Sequence, residues 1–321
     1  MIGAPTLNVR VGDRPHPGVV ACDSDIGPRS AGGCEAYHHF RVAVVALLLL
    51  AGCAPAVNLV EPAGPRFTGD YALLNRDTLA IGPMRIVTFN VKLARRIDRA
   101  IEVLRGDSLR GADILTLEEM DDRGTDSIAR ALKLNYVYYP GAIHPTEHKY
   151  FGPAVLSPWP IRRSWKLLLP HVSRTRRQRR TATVAEVVVR GLTIRVYGVH
   201  LETPAGGSER VREDQVGAIL DDAESFRGPV VVAGDFNSFG IGLVFQRHGY
   251  RWLTKYADPT ISYFTWDQIF VRGLRPAAPQ WAGVVRDTRG ASDHRPVYAV
   301  VVPDGRAGGQ VYGHWRTPES P

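Results

Sequence analysis

From Met84 onward the chain is written in short apolar runs that open or close on Asn, Asp, Glu or His. Asn90 closes Ile86-Val87-Thr88-Phe89, and Glu118 and Glu119 follow Ile114-Leu115-Thr116-Leu117. His200 ends Val196-Tyr197-Gly198-Val199, and Asp235 and Asn237 follow Val230-Val231-Val232-Ala233-Gly234. Asp267 opens Gln268-Ile269-Phe270-Val271, and Asp293-His294 precede the run 296–302. Runs of this length read as buried strands. A polar group at the mouth of a buried strand is costly unless it is paired or hydrated. Any one of these is an ordinary loop residue; together they are expected to meet in one cleft.

Helical patterns lie between the runs. Ile97, Ala100, Ile101 and Leu104 repeat at helical spacing and predict an amphipathic helix over 96–109. Ile128, Ala131 and Leu132 mark a second helix, and Val216, Ile219, Leu220 and Ala223 a third. Segments 181–190 and 192–200 meet at Arg190-Gly191, which predicts a hairpin. Alternating strands and helices argue for an α/β layered domain, while neighbouring strands without a helix between them argue against a purely doubly wound sheet. Two packed sheets with outer helices are expected over 84–302, long enough to bury a sizeable core. The Pro- and Gly-bearing stretch 53–83 reads as a tether and 303–321 as a flexible tail.

The chain has 321 residues and three cysteines, Cys22, Cys34 and Cys53. Everything after Cys53 lacks cysteine, so a disulfide framework, a thiolate zinc site and a cysteine nucleophile are excluded there. Residues 42–52 form an apolar run preceded by Arg41, too short to span a bilayer but of signal-peptide length. Leu50-Ala51-Gly52-Cys53 then resembles the lipobox of bacterial lipoproteins, which implies lipidation of Cys53 and removal of 1–52 as a leader. Residue 54 is Ala and not Asp, which leans toward an outer-membrane, periplasm-facing or cell-surface location. Residues 1–40 are long for a signal peptide, so translation is expected to start near Val42 or Val44, or the leader is unusually long. The formal charge is +8, and residues 1–52 balance to zero, so the excess belongs to the mature chain. A basic surface favours anionic partners such as nucleic acid, phosphorylated small molecules or anionic lipid.

Six motifs carry a family resemblance. They are Thr88-Phe89-Asn90, Leu117-Glu118-Glu119, Val199-His200-Leu201, Gly234-Asp235-Phe236-Asn237-Ser238, Trp266-Asp267-Gln268-Ile269-Phe270 and Ser292-Asp293-His294-Arg295-Pro296. In order and spacing they resemble the endonuclease/exonuclease/phosphatase superfamily of metal-dependent phosphoesterases. The resemblance implies a four-layer α/β/β/α sandwich of two packed mixed sheets with outer helices. It implies Asn90, Glu119 and Asp293 as hard oxygen ligands for Mg²⁺ or Mn²⁺. It implies His294 as general base or electrostatic partner of the attacking water, with Asp267 orienting its ring. Asp235 and Asn237 would position nucleophile and phosphate, and His200 would donate to a phosphate oxygen.

This chain departs from the family in places. Glu118 stands where the family usually has Gln, Pro153 replaces an Asn, and Lys92 stands where some nucleases carry an acid. Arg174, Arg176, Arg177, Arg179 and Arg180 form a dense cluster. It reads either as a solvated basic loop or as a loop that grips a polyanionic substrate or headgroups, with Arg180, Arg176 and Arg177 on the substrate phosphate. His144 and His148 flank Pro145 and read as a loop and not a second metal site. Gly106-Asp107-Ser108-Leu109 matches a serine-esterase motif but follows a helix, and reads as a turn. The expected activity is hydrolysis of phosphodiester bonds, nuclease-like, by activated water. The alternatives are phospholipase C/sphingomyelinase-like or inositol-phosphate phosphatase activity, and an inactive surface binding protein on the same fold. The expected partners are a phosphoester substrate (nucleic acid, a phospholipid headgroup or a small phosphodiester) and a membrane, reached through the lipid anchor; no protein partner is indicated.

Overall fold

The computed structural model describes residues 55–73, 82–278 and 281–305. The apolar run 42–52, Cys53 and most of the proposed tail lie outside the described residues. In chain order the strands are β1 (Val57–Asn58), β2 (Phe67–Gly69), β3 (Met84–Asn90), β4 (Ile114–Met120), β5 (Asn135–Tyr138), β6 (Ala142–Ile143), β7 (Tyr150–Ser157) and β8 (Ile161–Leu168). They continue with β9 (Thr181–Val189), β10 (Leu192–His200), β11 (Val230–Asp235), β12 (Arg251–Trp252), β13 (Asp267–Arg272), β14 (Leu274–Pro276), β15 (Ala282–Val284) and β16 (Val297–Pro303). The helices are α1 (Ile97–Leu104), α2 (Asp122–Leu132), α3 (Glu209–Glu224) and α4 (Ile241–Arg247).

Two mixed sheets form. The first runs β1-β6-β7-β4-β3-β16-β14, with β5 also on β7 and β15 on β16; the second runs β12-β13-β11-β10-β9-β8. In each, one parallel pair, β3/β4 or β10/β11, lies among antiparallel neighbours. The strands are apolar on both faces because both faces are covered. Ile86, Ile114 and Val297 of the first sheet pack against Val187, Val196, Val231 and Ile269 of the second. The outer face of the first sheet buries Val87, Phe89 and Leu115 with Ala100, Leu104 and Ile128 of α1 and α2. That of the second buries Tyr197, Val232 and Phe270 with Val216, Ile219 and Phe245 of α3 and α4. These three apolar contacts are the seams of the expected four-layer α/β/β/α sandwich.

The local expectations hold with shifted ends. The first helix is shorter than 96–109 because the chain turns at Gly106, and Gly106–Leu109 form that turn. The β9–β10 hairpin closes on Arg190 and Gly191, both at positive φ (49° and 82°), the two-residue turn whose twist matches paired strands. Asp121 caps α2 by accepting from the Gly124 amide at 2.6 Å.

The reading of 53–83 as a tether needs correction for residues 55–73. Val57 and Asn58 pair with β6, and Phe67–Gly69 pair with β5. The buried Lys166 ammonium donates to the carbonyls of Leu59 (2.8 Å) and Gly64 (2.7 Å). Strands of two and three residues carry too little periodicity to be seen in a sequence; a sheet edge with free backbone groups recruits them.

Gly234 joins the second sheet to the chemistry. It pairs with Val199 across β10/β11, and a Cβ there would lie 1.9 Å from the Val199 carbonyl oxygen, at a φ of +151°. Gly234→Ala is therefore expected to destabilise the fold by about 3 kcal/mol. Denaturant unfolding of the purified variant measures this.

Candidate active site

The strand ends bring the polar residues together by register. In the second sheet His200 pairs with Asp235, and Asp235 with Asp267, so the mouths of β10, β11 and β13 place three functional groups side by side. In the first sheet Asn90 pairs with Glu118 across β3/β4. His294 sits just before β16, which lies against β3.

Asp235 joins the two sets. Its Oδ2 accepts from Asn90 Nδ2 at 3.0 Å and lies 3.6 Å from His200 Nε2 and 3.7 Å from His294 Nε2. Its Oδ1 accepts the Asn237 amide at 2.9 Å. The Asn237 side chain donates to the Leu201 carbonyl at 3.1 Å, tying the loop down from its strained φ of 50°. His294 Nδ1 meets Asp267 Oδ2 at 2.8 Å. Burial opposes charge on His294, but Asp267 and Asp235 override it and raise its pKa. Burial raises Asp235, partly offset by His294. Burial, then the Arg180 guanidinium, holds His200 neutral, well below the usual histidine range.

A β-bulge aims the acidic pair. Leu117 pairs with Ala154 but Met120 with Gly152, so β4 holds one residue more than β7 across this step. Glu119 takes a φ of +59° and turns toward Asn90 Nδ2 (3.3 Å) and the Leu93 amide (3.0 Å). Pro153 lies opposite the bulge, between the paired residues Gly152 and Ala154, and its carbonyl accepts from Thr183 Oγ1 at 2.6 Å. A missing N–H is tolerated there. Glu118 goes inward, fully buried, with Thr88 Oγ1 donating to it at 3.1 Å. Burial, followed by Asp267 and Asp235, raises its pKa well above the carboxylate range. A protonated carboxyl offers one donor and one acceptor, as the family's Gln amide does.

Two groups of residues can hold a divalent cation. Ligating atoms of Asp235, Asp267 and His294 all lie within 4.8 Å of one another. The His294–Asp267 hydrogen bond, however, takes Nδ1, and the two aspartates favour a protonated ring, which has no lone pair to offer a metal. Asn90, Glu119 and Asp293 offer only oxygens, as Mg²⁺ and Mn²⁺ prefer. The structure brings Asn90 and Glu119 into contact, and joins Asp293 to them through the turn at Lys92. The Lys92 amide donates to Asn90 Oδ1 at 3.0 Å, and its ammonium pairs with Asp293 at 2.9 Å. Burial opposes the Asp293 charge, but Lys92 more than compensates and lowers its pKa. The donor set fits a hard cation, with Lys92 as a competitor for one ligand.

Beside His200 a small pocket is lined by Phe151, Pro153, Gln178, Arg180 and Thr181. Arg180 is buried; its Nη2 lies 3.6 Å from Glu202 Oε1, while its Nε and Nη1 and His200 Nδ1 have no protein partner. Buried donors without acceptors are costly, and an anion in this pocket would satisfy them. Arg176 instead donates to His144 Nε2 at 2.8 Å, and Arg177 is exposed and does not line the pocket. Burial, then Arg176, lowers His144 to about 4. Sequence reasoning missed Glu202, which steadies Arg180, and Thr260, whose Oγ1 accepts the Trp266 and Asp267 amides at 3.1 Å each. Thr260 lies in an irregular loop with no periodic signal. Glu202 sits two residues past His200 and could have been suspected.

Two outcomes follow. Lys92→Ala is expected to tighten Mn²⁺ binding about five-fold, read by titration calorimetry, by freeing Asp293. His144 binds fewer protons folded than unfolded between pH 4 and 6.5. Its contribution to stability is complete above about pH 6.5 and is lost as pH falls toward 4. A melting series of wild type against His144→Asn isolates that window.

Comparison with known proteins agrees with this fold. The family model described as Endonuclease/Exonuclease/phosphatase family matches residues 87–294. No curated protein matches the chain. Among solved structures, an endonuclease/exonuclease/phosphatase from Beutenbergia cavernae is 20% identical, with a TM-score of 0.56, over 69% of this chain and 72% of that one. One from Bacteroides vulgatus is 18% identical, with a TM-score of 0.56, over 70% and 100%. D. rerio TDP2 in complex with single strand DNA product is 17% identical, with a TM-score of 0.54, over 68% and 99%. With a family model spanning more than half of its residues and both sheets meeting at one polar cluster, the chain belongs to the endonuclease/exonuclease/phosphatase family.

Proposed function

We propose that this protein is a divalent-metal-dependent phosphodiesterase, anchored outside the cytoplasm by a lipid on Cys53. The observation that carries the catalytic reading is the unbroken contact series Asp267–His294–Asp235–Asn90–Glu119, which crosses both sheets beside a pocket of unsatisfied Arg180 and His200 donors. Asn90, Glu119 and Asp293 would hold Mg²⁺ or Mn²⁺. When bound, that ion neutralises phosphate charge and acidifies coordinated water. The protein's own groups do the rest. Asp235, fixed by the Asn237 amide, would align an attacking water and accept its proton as the new phosphorus–oxygen bond forms. The bond from phosphorus to the ester oxygen breaks, and that leaving oxygen is protonated from solvent. His294, held through Nδ1 by Asp267, presents Nε2 and its positive charge to the pentacovalent phosphate. Neutral His200 and Arg180 donate to phosphate oxygens, so charge that grows in the transition state meets donors already in place. No covalent intermediate is required.

The TDP2 complex with a DNA product favours a nucleic-acid diester as substrate. Lipid and inositol phosphates share the same bond chemistry and stay as alternatives. An inactive binding protein is disfavoured because every polar group of the contact series is present and paired. The anchor is supported by the apolar run ending in Leu50-Ala51-Gly52-Cys53. Among the described residues no helix is long and apolar enough to cross a membrane.

Hydrolysis of bis-p-nitrophenyl phosphate with Mn²⁺ or Mg²⁺ tests the chemistry. Excess chelator is expected to abolish it, and His294→Ala to lower kcat at least about 10³-fold. Arg180→Ala is expected to lower kcat/KM about ten-fold or more, with part of the loss in kcat, while leaving the metal affinity unchanged. Undiminished turnover in chelator, or in His294→Ala, rejects the mechanism. Intact mass of the mature protein tests the anchor: it should begin at a diacylglyceryl-modified Cys53.

A further inference from the structure

Resting on the Cys53 anchor just proposed, we infer that the arginine loop 174–180 is the edge of the molecule that lies on the membrane, with Arg174 and Arg177 among anionic lipid headgroups. The argument begins with chain length. Ala56 is buried and its amide donates to the Arg176 carbonyl at 2.8 Å. Only three peptide steps separate Cys53 from Ala56, so their Cα atoms lie within about 11 Å whatever path the chain takes. A lipid on Cys53 therefore holds this edge, and no other, at the bilayer. The long leash expected from sequence would have let the domain tumble; the paired strands β1 and β2 remove most of that leash.

The attachment is rigid as well as short. The Asn58 side chain brackets the loop, donating from Nδ2 to the Arg177 carbonyl at 2.8 Å and accepting the Arg179 amide on Oδ1 at 2.6 Å. The Leu59 amide donates to the Gly141 carbonyl at 2.9 Å, and Val57 pairs with Ile143. Within the loop the arginines divide. Arg180 is buried beside His200, Arg176 is committed to His144, and Arg179 donates to the Leu169 carbonyl. Arg174 and Arg177 are exposed, and neither makes an ion pair among the described residues. Two free guanidinium groups beside a lipid attachment complement a phosphate-rich plane, where each cation contributes about five-fold to association.

The test uses the full chain, lipidated and reconstituted in vesicles. A mature chain carries no free thiol, because Cys53 is the only cysteine it retains and its sulfur holds the lipid. Thr175→Cys is exposed and lies between the two arginines. Asp107→Cys serves as control: it precedes β4, at the end of that strand far from Glu119, and is exposed. Each is labelled with a fluorophore and quenched by spin-labelled lipid in phosphatidylglycerol-rich vesicles. The position-175 label is expected to be quenched at least about three-fold more than the position-107 label. The difference should shrink in high salt and with Arg174→Glu plus Arg177→Glu, although the anchor stays in place. Equal quenching at the two positions, or a difference indifferent to charge reversal, overturns the inference. A mature mass without lipid on Cys53 overturns it together with the anchor. Because the readout is quenching, failure of phosphodiester hydrolysis leaves it standing.

Discussion

One carboxylate holds the chemistry of this molecule together. Asp235 is 1% exposed, and one of its oxygens faces Asn90 from the first sheet while both His200 and His294 point toward it. Burying a charge this deep is tolerated only where partners surround it. The partners come from both sheets, so the sandwich has to close before the site exists. The apolar seam between the sheets supplies the driving force, and the polar cluster at its mouth fixes the relative placement of the strand ends.

Around that joint the chain repeatedly breaks local rules. Glu119 and Asn237 sit at positive φ, and Gly234 brings its Cα against a neighbouring carbonyl. The two non-glycine positions cost about 1–3 kcal/mol each and aim a functional group, while the glycine admits the close approach without that cost. The β4 bulge is the clearest case. Plain alternation would send Glu118 and Glu119 to opposite faces; the extra residue turns Glu119 to the cleft and leaves Glu118 as a neutral acid beneath it. The Lys92–Asp293 pair adds a cation where a metal ligand is expected, so metal affinity and Lys92 are linked.

The N-terminal strands give the site its setting. They tie the arginine loop to the segment that follows Cys53, and that loop ends in Arg180 at the pocket beside His200. The pocket beside His200 and the N-terminal strands therefore share one edge of the domain. Family membership points to phosphoester chemistry; the fold alone does not decide the substrate.

The sequence by itself determined β3, β4, β9, β10, β11, β13 and β16, the order of the motifs and the polar residues that would converge. Pattern gave two packed sheets with outer helices, and the family resemblance gave the four layers, while β5, β7 and β8 were not legible. Apolar runs of period one or two and helical repeats are local signals, and polar residues at strand mouths stand out against them. Only the tertiary structure decided which polar residues touch. It turned Glu119 to a positive φ at a bulge that depends on β7, aiming it at Asn90, and set Lys92 on Asp293. It recruited Asn58, Thr260 and Glu202 as supports, and folded 55–73 onto sheet edges that exist only once the strands have assembled. Those outcomes depend on partners tens of residues away, and short segments carry no periodicity to announce them.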